Sequence, residues 1–274
     1  MNTSFNRLVA AICIAMIFVL NSTTSFAGNY TWTGNSSKNW DNASNWSPSG
    51  VPTTNDTVTI GTGNDTLQIN ANTTINRLVI SGRTLNLNGY ELQVSQRASL
   101  NGGKIYNDTL KLRGVYAFFQ GTNTNCTIDC IVNQIKFSGG TFDGTCSFEH
   151  NGSSNGWGEG GCVFNAPVTI KKSGSSALRL GQTNADAFNS TVEFICTSSG
   201  PIEVSQGSHS SFSNVVYLNC THSSGSITFC AQSTSADLLE EGHLETGSTG
   251  ITAGRLTIKG LIQDNTNANE LNGT

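Results

Sequence analysis

The sequence predicts an all-β protein: a right-handed parallel β-helix, or β-solenoid, with about 24-residue coils and an N-terminal Trp-rich cap. Three observations carry that expectation. Phe164, Phe188 and Phe212 recur at a constant interval of 24 residues. Each is followed at the fourth and sixth positions by an apolar pair: Val168 and Ile170, Val192 and Phe194, Val216 and Leu218. Nearly half of the 274 residues are Gly, Asn, Ser or Thr, and only 12% are charged, against roughly 25% in an ordinary soluble domain.

Taken from the N-terminus, Arg7 precedes an uncharged apolar stretch over 8–20, and Ser25 and Ala27 place small residues at −3 and −1 of a cleavage site between Ala27 and Gly28. That is the layout of a secretory signal over 1–27. The apolar stretch is short for a bilayer span. Cys13 follows Ile12, where a lipoprotein signal would place Gly or Ala, so it is not read as a lipid attachment site. No second stretch of spanning length follows, and the mature chain is expected to be secreted or cell-surface associated, with no transmembrane segment.

Residues 28–60 are read as the cap and first strand. Trp32, Trp40 and Trp46 stand in a polar, Asn-rich stretch just before the first strand run. A solenoid end exposes unpaired strand edges and an apolar interior, which large aromatic rings can cover. Exposed sugar-stacking rings are the competing reading.

Residues 61–274 are read as the β-helix, with truncation at its C-terminal end left open. The first coils show a shorter rhythm, with Leu78, Leu85 and Leu92 seven apart and Asn-Gly or Gly-Gly pairs between the runs. In the middle, a Ser/Gly-rich turn separates each Phe unit from a second alternating pair: Leu178 and Leu180, Ile202 and Val204, and, displaced by one, Ile227 and Phe229. An imperfect earlier copy begins at Phe142, with Cys146 and Phe148 at the same offsets. Period-2 alternation means strands with one face in and one out. No unit could bury a core alone, whereas coils stacked at about 4.8 Å pair every backbone polar group with a neighbour. Phe164, Phe188 and Phe212 then form a core ladder. A β-sandwich would explain strands but gives no reason for the Phe interval.

Composition also excludes function classes. Net charge is −4, and Lys171-Lys172 is the densest basic patch, so no cationic stripe could neutralise phosphates and no nucleic-acid partner is expected. Candidate carboxylates are weak. Glu193 and Glu203 fall on different strands of one coil, whereas glycoside hydrolysis needs two carboxylates facing each other at about 5–9.5 Å. Asp143, Glu149, His150 and Glu159 cluster in sequence beside a Gly-rich stretch, 152–161, read as an irregular insert and, with Trp157, as the best place for a loop-borne site. No catalytic residue, cofactor or metal is assigned.

Seven cysteines follow the leader: Cys126, Cys130, Cys146, Cys162, Cys196, Cys220 and Cys230. The spacing of Cys126, Cys130, Cys146, His150 and Cys162 matches no compact zinc finger. Cys196 and Cys220 hold the same repeat position and form the candidate disulfide, with a reduced column of thiols as the alternative. Lys172 and His150 hold the equivalent place in earlier units. That place is therefore expected at a strand end partly open to solvent.

The stretch Trp32-Thr33-Gly34, Trp40, Asn45-Trp46, Pro48, Gly50, Pro52, Asp56 and Val58-Thr59-Ile60 resembles the opening of bacterial secreted adhesin-like β-solenoid surface proteins. The Phe-Asn units and the closing Ala253-Gly254-Arg255-Leu256-Thr257-Ile258 resemble their repeats. The resemblance implies a non-catalytic secreted or cell-surface solenoid that adheres to glycans or cell surfaces, or serves as a structural spacer. The alternative is a carbohydrate-active β-helix enzyme (a polysaccharide lyase or glycosidase) or its binding module.

Overall fold

The structure, a computed structural model, describes residues 27–230, 237–239, 244–258 and 261–263. It is a parallel β-solenoid of about 8 turns with coils of about 22 residues. Among the described residues there is no α-helix, only a 3-10 turn at Ala43–Asn45, and no helix long and apolar enough to cross a membrane.

Three strand stacks form the wall. One runs from Thr57–Ile60 through 77–80, 97–100, 157–158, 178–179 and 202–204 to 226–229 and 255–258. The second joins 66–68 to 84–86 and 104–106, and later 142, 164, 188, 212 and 239. The third stacks 73–75, 92–94 and 110–112, then 128–132, 146–150, 168–172, 192–196 and 216–220. The seven-residue rhythm of Leu78, Leu85 and Leu92 is thus one inward residue from each stack within a single coil.

The Phe interval is a physical column. Adjacent rings of Phe164 and Phe188 lie 4.9 Å apart at 10°, and those of Phe188 and Phe212 4.9 Å apart at 6°. Phe142 joins the column 4.8 Å from Phe164 at 13°. These centroid distances match the spacing of hydrogen-bonded strands, so backbone pairing and ring stacking reinforce one another. All four rings are buried.

Coil length is not uniform. The first coils advance by about 20 residues, as in the hydrogen bond from Ser95 to Ile75, and the middle ones by 24, as in that from Arg179 to Glu203. The path from Trp157 to Phe164 is shorter by two residues than that from Arg179 to Phe188, although both ends pair in register. Coils therefore lengthen at corners and leave the wall in register.

The cap is a partial coil laid over the first complete one. Asn29–Trp32 pairs parallel to Thr57–Ile60 and antiparallel to Trp46–Ser47, while Trp40 N donates to Gln68 O at 2.8 Å. Trp46 lies edge-on to Trp32 at 5.1 Å and to Trp40 at 4.8 Å, and its Nε1 donates to Trp40 O at 2.7 Å. All three rings are buried in the common core. Asn45, itself buried, accepts from Ser36 N and Ser37 N and donates to Asn39 O. The Asn45-Trp46 pair thereby fixes the loop and inserts the ring beneath it.

Candidate functional site

The inward alternation forces every intervening side chain outward. On the first stack, Ala117 and Phe119 point in, which places Tyr116 and Phe118 outside; Ile135 and Phe137 do the same for Lys136. Trp157 is the register partner of Lys136, Arg179 of Trp157, and Glu203 of Arg179. The Lys136 ammonium lies 5.1 Å from the Phe118 ring centre and 6.0 Å from that of Trp157, and pairs with Glu159 at 2.8 Å. Arg97 sits 5.6 Å over Tyr116, whose ring is 6.3 Å from Phe118. Trp157 is 39% exposed, a large apolar ring on the outer face of the wall.

Charge on this row is arranged. Hydrogen bonds from Lys136 and Ser138 hold the Glu159 carboxyl below its ordinary pKa. Burial raises the Tyr116 phenol, against the opposing pull of Lys136 and Arg97. Aromatic plates beside fixed cations and carboxylates suit a sugar ring, which offers C–H faces to stack and hydroxyls to bond.

The irregularity expected over 152–161 is a bend at 152–154 and a bulge between Gly158 and Gly160, and Trp157 itself lies on the strand Gly156–Phe164 and not in a loop, with Gly156, Gly158 and Gly160 buried on its inward side. A Cβ at Gly156 would lie 2.9 Å from Leu178 Cδ1, and one at Gly160 would lie 1.7 Å from Asn184 O. Neighbouring coils fill that space, so glycine stands where an apolar residue would ordinarily mark the inward face. No signal in apolar periodicity could have found it; the alternation of Gly with Trp and Glu is the signal.

The carboxylates do not converge. Asp143 accepts from Asn165, Glu149 pairs with Lys171, and Glu159 is held by Lys136. Glu193 accepts from Asn219 on the third stack, while Glu203 pairs with Arg179 on the first at 2.8 Å.

The position expected at a solvent-reachable strand end is instead buried. His150, Lys172, Cys196 and Cys220 are successive register partners, and all are 0% exposed. The interior accepts Lys172 because its ammonium donates to the carbonyls of Gly174 and His150. Burial lowers its pKa to about 8. Burial and the Lys172 charge push His150 down to about 4. Its Nε2 is 2.9 Å from Ser154 O; a carbonyl can only accept, so the neutral ring carries its proton there. Cys196 and Cys220 stand side by side in this column, as direct register partners.

Gly28, the expected first residue of the mature chain, donates its backbone N–H to Asp56 Oδ1 at 2.6 Å, and Ala27 is exposed. The rest of the leader lies outside the described residues.

Fold and surface together define a parallel β-solenoid with an outward aromatic and cationic row. Comparisons with protein-family models, curated proteins and solved structures found no match.

Proposed function

We propose that this is a secreted or cell-surface, non-catalytic solenoid that adheres to glycans through the outward row of its first strand stack. The observation that carries the reading is the ladder Phe118, Lys136, Trp157 and Arg179, in which aromatic plates alternate with cations across successive coils. A long, regular wall repeats contacts at the strand spacing, which suits a polymeric ligand bound by many weak contacts. The resemblance of the Trp32 to Ile60 segment to adhesin-like surface proteins supports the same reading. So does a leader-like N-terminus.

A glycan array probed with residues 28–274, beside a polysaccharide-degradation assay, tests it. Retention of a glycan class with no chain cleavage is expected, and Trp157→Ala should abolish retention while keeping the melting temperature. Cleavage products would replace the reading with the enzyme alternative. An empty array would reject glycan adhesion.

A further inference from the structure

Every ion pair found among the described residues joins a basic side chain to a carboxylate on a neighbouring coil: Arg83 to Asp65, Lys111 to Glu91, Arg113 to Asp129, Lys136 to Glu159, Lys171 to Glu149 and Arg179 to Glu203. Arg77 and Arg97 join none of these pairs and differ in a second way. They are direct register partners on the first stack, both exposed, and neither has a carboxylate partner among the described residues. Like charges directly opposite one another destabilise a sheet. The groove they border, with Asn29, Asn76, Gln96 and Val115, has no carboxylate on its lining. Arg97 also lies over Tyr116, which leads into the Phe118–Trp157 row.

We infer that Arg77 and Arg97 form an anion subsite for an acidic polysaccharide, one bearing uronate or sulfate groups. The inference rests on the glycan-adhesion reading and narrows its ligand class. Strands pair at about 4.8 Å, so two guanidinium groups one coil apart can share the oxygens of a single carboxylate or sulfate. Planar guanidinium forks bind such oxyanions in bidentate fashion. Tyr116, beside Arg97, offers the next sugar ring a stacking face.

Polygalacturonate and its fully methyl-esterified form present the same backbone with and without charge. Titrated against residues 28–274, the acid should bind more tightly than the ester, and raising salt should erase the difference. Arg77→Gln with Arg97→Gln should weaken the acid on the order of tenfold or more and leave the ester unchanged. Trp157→Ala should weaken both. Equal affinity for acid and ester, or no effect of the arginine pair, would overturn the anion subsite while leaving glycan adhesion standing. Binding of neither polymer alongside an empty glycan array would remove both. Equal binding of anionic vesicles would also overturn the subsite, since it would show attraction to charge without a sugar.

A separate observation concerns the chain start. Asp56 is 2% exposed and accepts from Gly28 N at 2.6 Å, Thr53 N at 2.6 Å and Thr53 Oγ1 at 2.8 Å. A Cβ at Gly28 would lie 2.8 Å from the Tyr30 ring and 3.2 Å from the Asp56 carboxylate, so the seat takes glycine alone without adjustment. We propose that hydrolysis of the Ala27–Gly28 peptide bond by a signal peptidase, with one water consumed and the Ala27 carboxylate leaving on the leader, converts this hydrogen bond into an ion pair. The new Gly28 ammonium then locks the cap to Asp56.

Intact mass and N-terminal sequencing of the secreted protein should give Gly28 as the first residue. Acetylating that amine should lower the melting temperature by about 2–4 °C in the wild type and leave Asp56→Asn unchanged. A different first residue, no effect of acetylation, or an equal effect in both proteins would overturn the lock.

Discussion

Lys172 is the residue whose placement is least expected from its chemistry. A buried ammonium with a pKa near 8 lies well below its ordinary 10.5, and one pKa unit corresponds to about 1.4 kcal/mol. The sign follows from proton counts. Between pH 8 and 10.5 the unfolded chain keeps the Lys172 proton and the folded chain loses it, so this group's penalty is full below pH 8 and fades above it. Lys172→Met should therefore stabilise the fold by about 1–3 kcal/mol at pH 7. The gain should shrink as pH is raised toward 10.5, in denaturant titrations of both proteins. The carbonyls it leaves keep partners, since Ser198 Oγ donates to Gly174 O and Ser173 N to His150 O. His150 behaves alike at lower pH, with its penalty growing as pH falls from 6.5 toward 4. A gain that does not vary with pH would show that folding leaves the Lys172 pKa unshifted.

At the same scale, the neighbouring Cys196 and Cys220 are sealed by burial and should resist alkylation in the native protein. Tryptic mapping after unfolding without reduction then separates the two states. Linked peptides give the candidate bridge, and alkylated thiols at both positions give the reduced column.

Among elements, the Phe column carries the register. Phe188→Ala removes a ring stacked on both sides and should cost about 3–5 kcal/mol, read by denaturant unfolding. A loss below about 1 kcal/mol would mean the column does not hold the coils. The outer pair Arg179–Glu203 is half-exposed. Replacing either by Thr should cost only about 0.2–1 kcal/mol. The cap differs in kind. Trp46→Ala should lower stability by about 3–5 kcal/mol and also open the apolar end of the core, so light scattering should show end-to-end association.

These elements also mark where sequence was readable. Phe164, Phe188 and Phe212 were legible because three units share one corner length. The first coils were less so, since corners near Gly82 and Gly102 are shorter, and a rhythm of seven stood in for a coil. The sequence places Trp157 in a loop because glycine, filling inward positions beside Leu178 and Asn184, imitates a loop composition. The sequence puts Lys172 at a solvent-reachable end because patterning cannot anticipate carbonyls turned inward at a corner.

For the whole molecule, the proposed function rests on a wall that presents an aromatic and cationic row on its outer face. Because strand stacking fixes the row, binding should not require any change in the wall, and an outward substitution should alter affinity without altering the fold. Isothermal titration of a glycan retained on the array, against wild type and Trp157→Ala of matched melting temperature, tests this most directly. Measurable heat is expected for the wild type and at least a tenfold weaker association for the variant, the loss of about 1.4 kcal/mol that follows removal of one stacking plate. Equal affinity in the two proteins would contradict it.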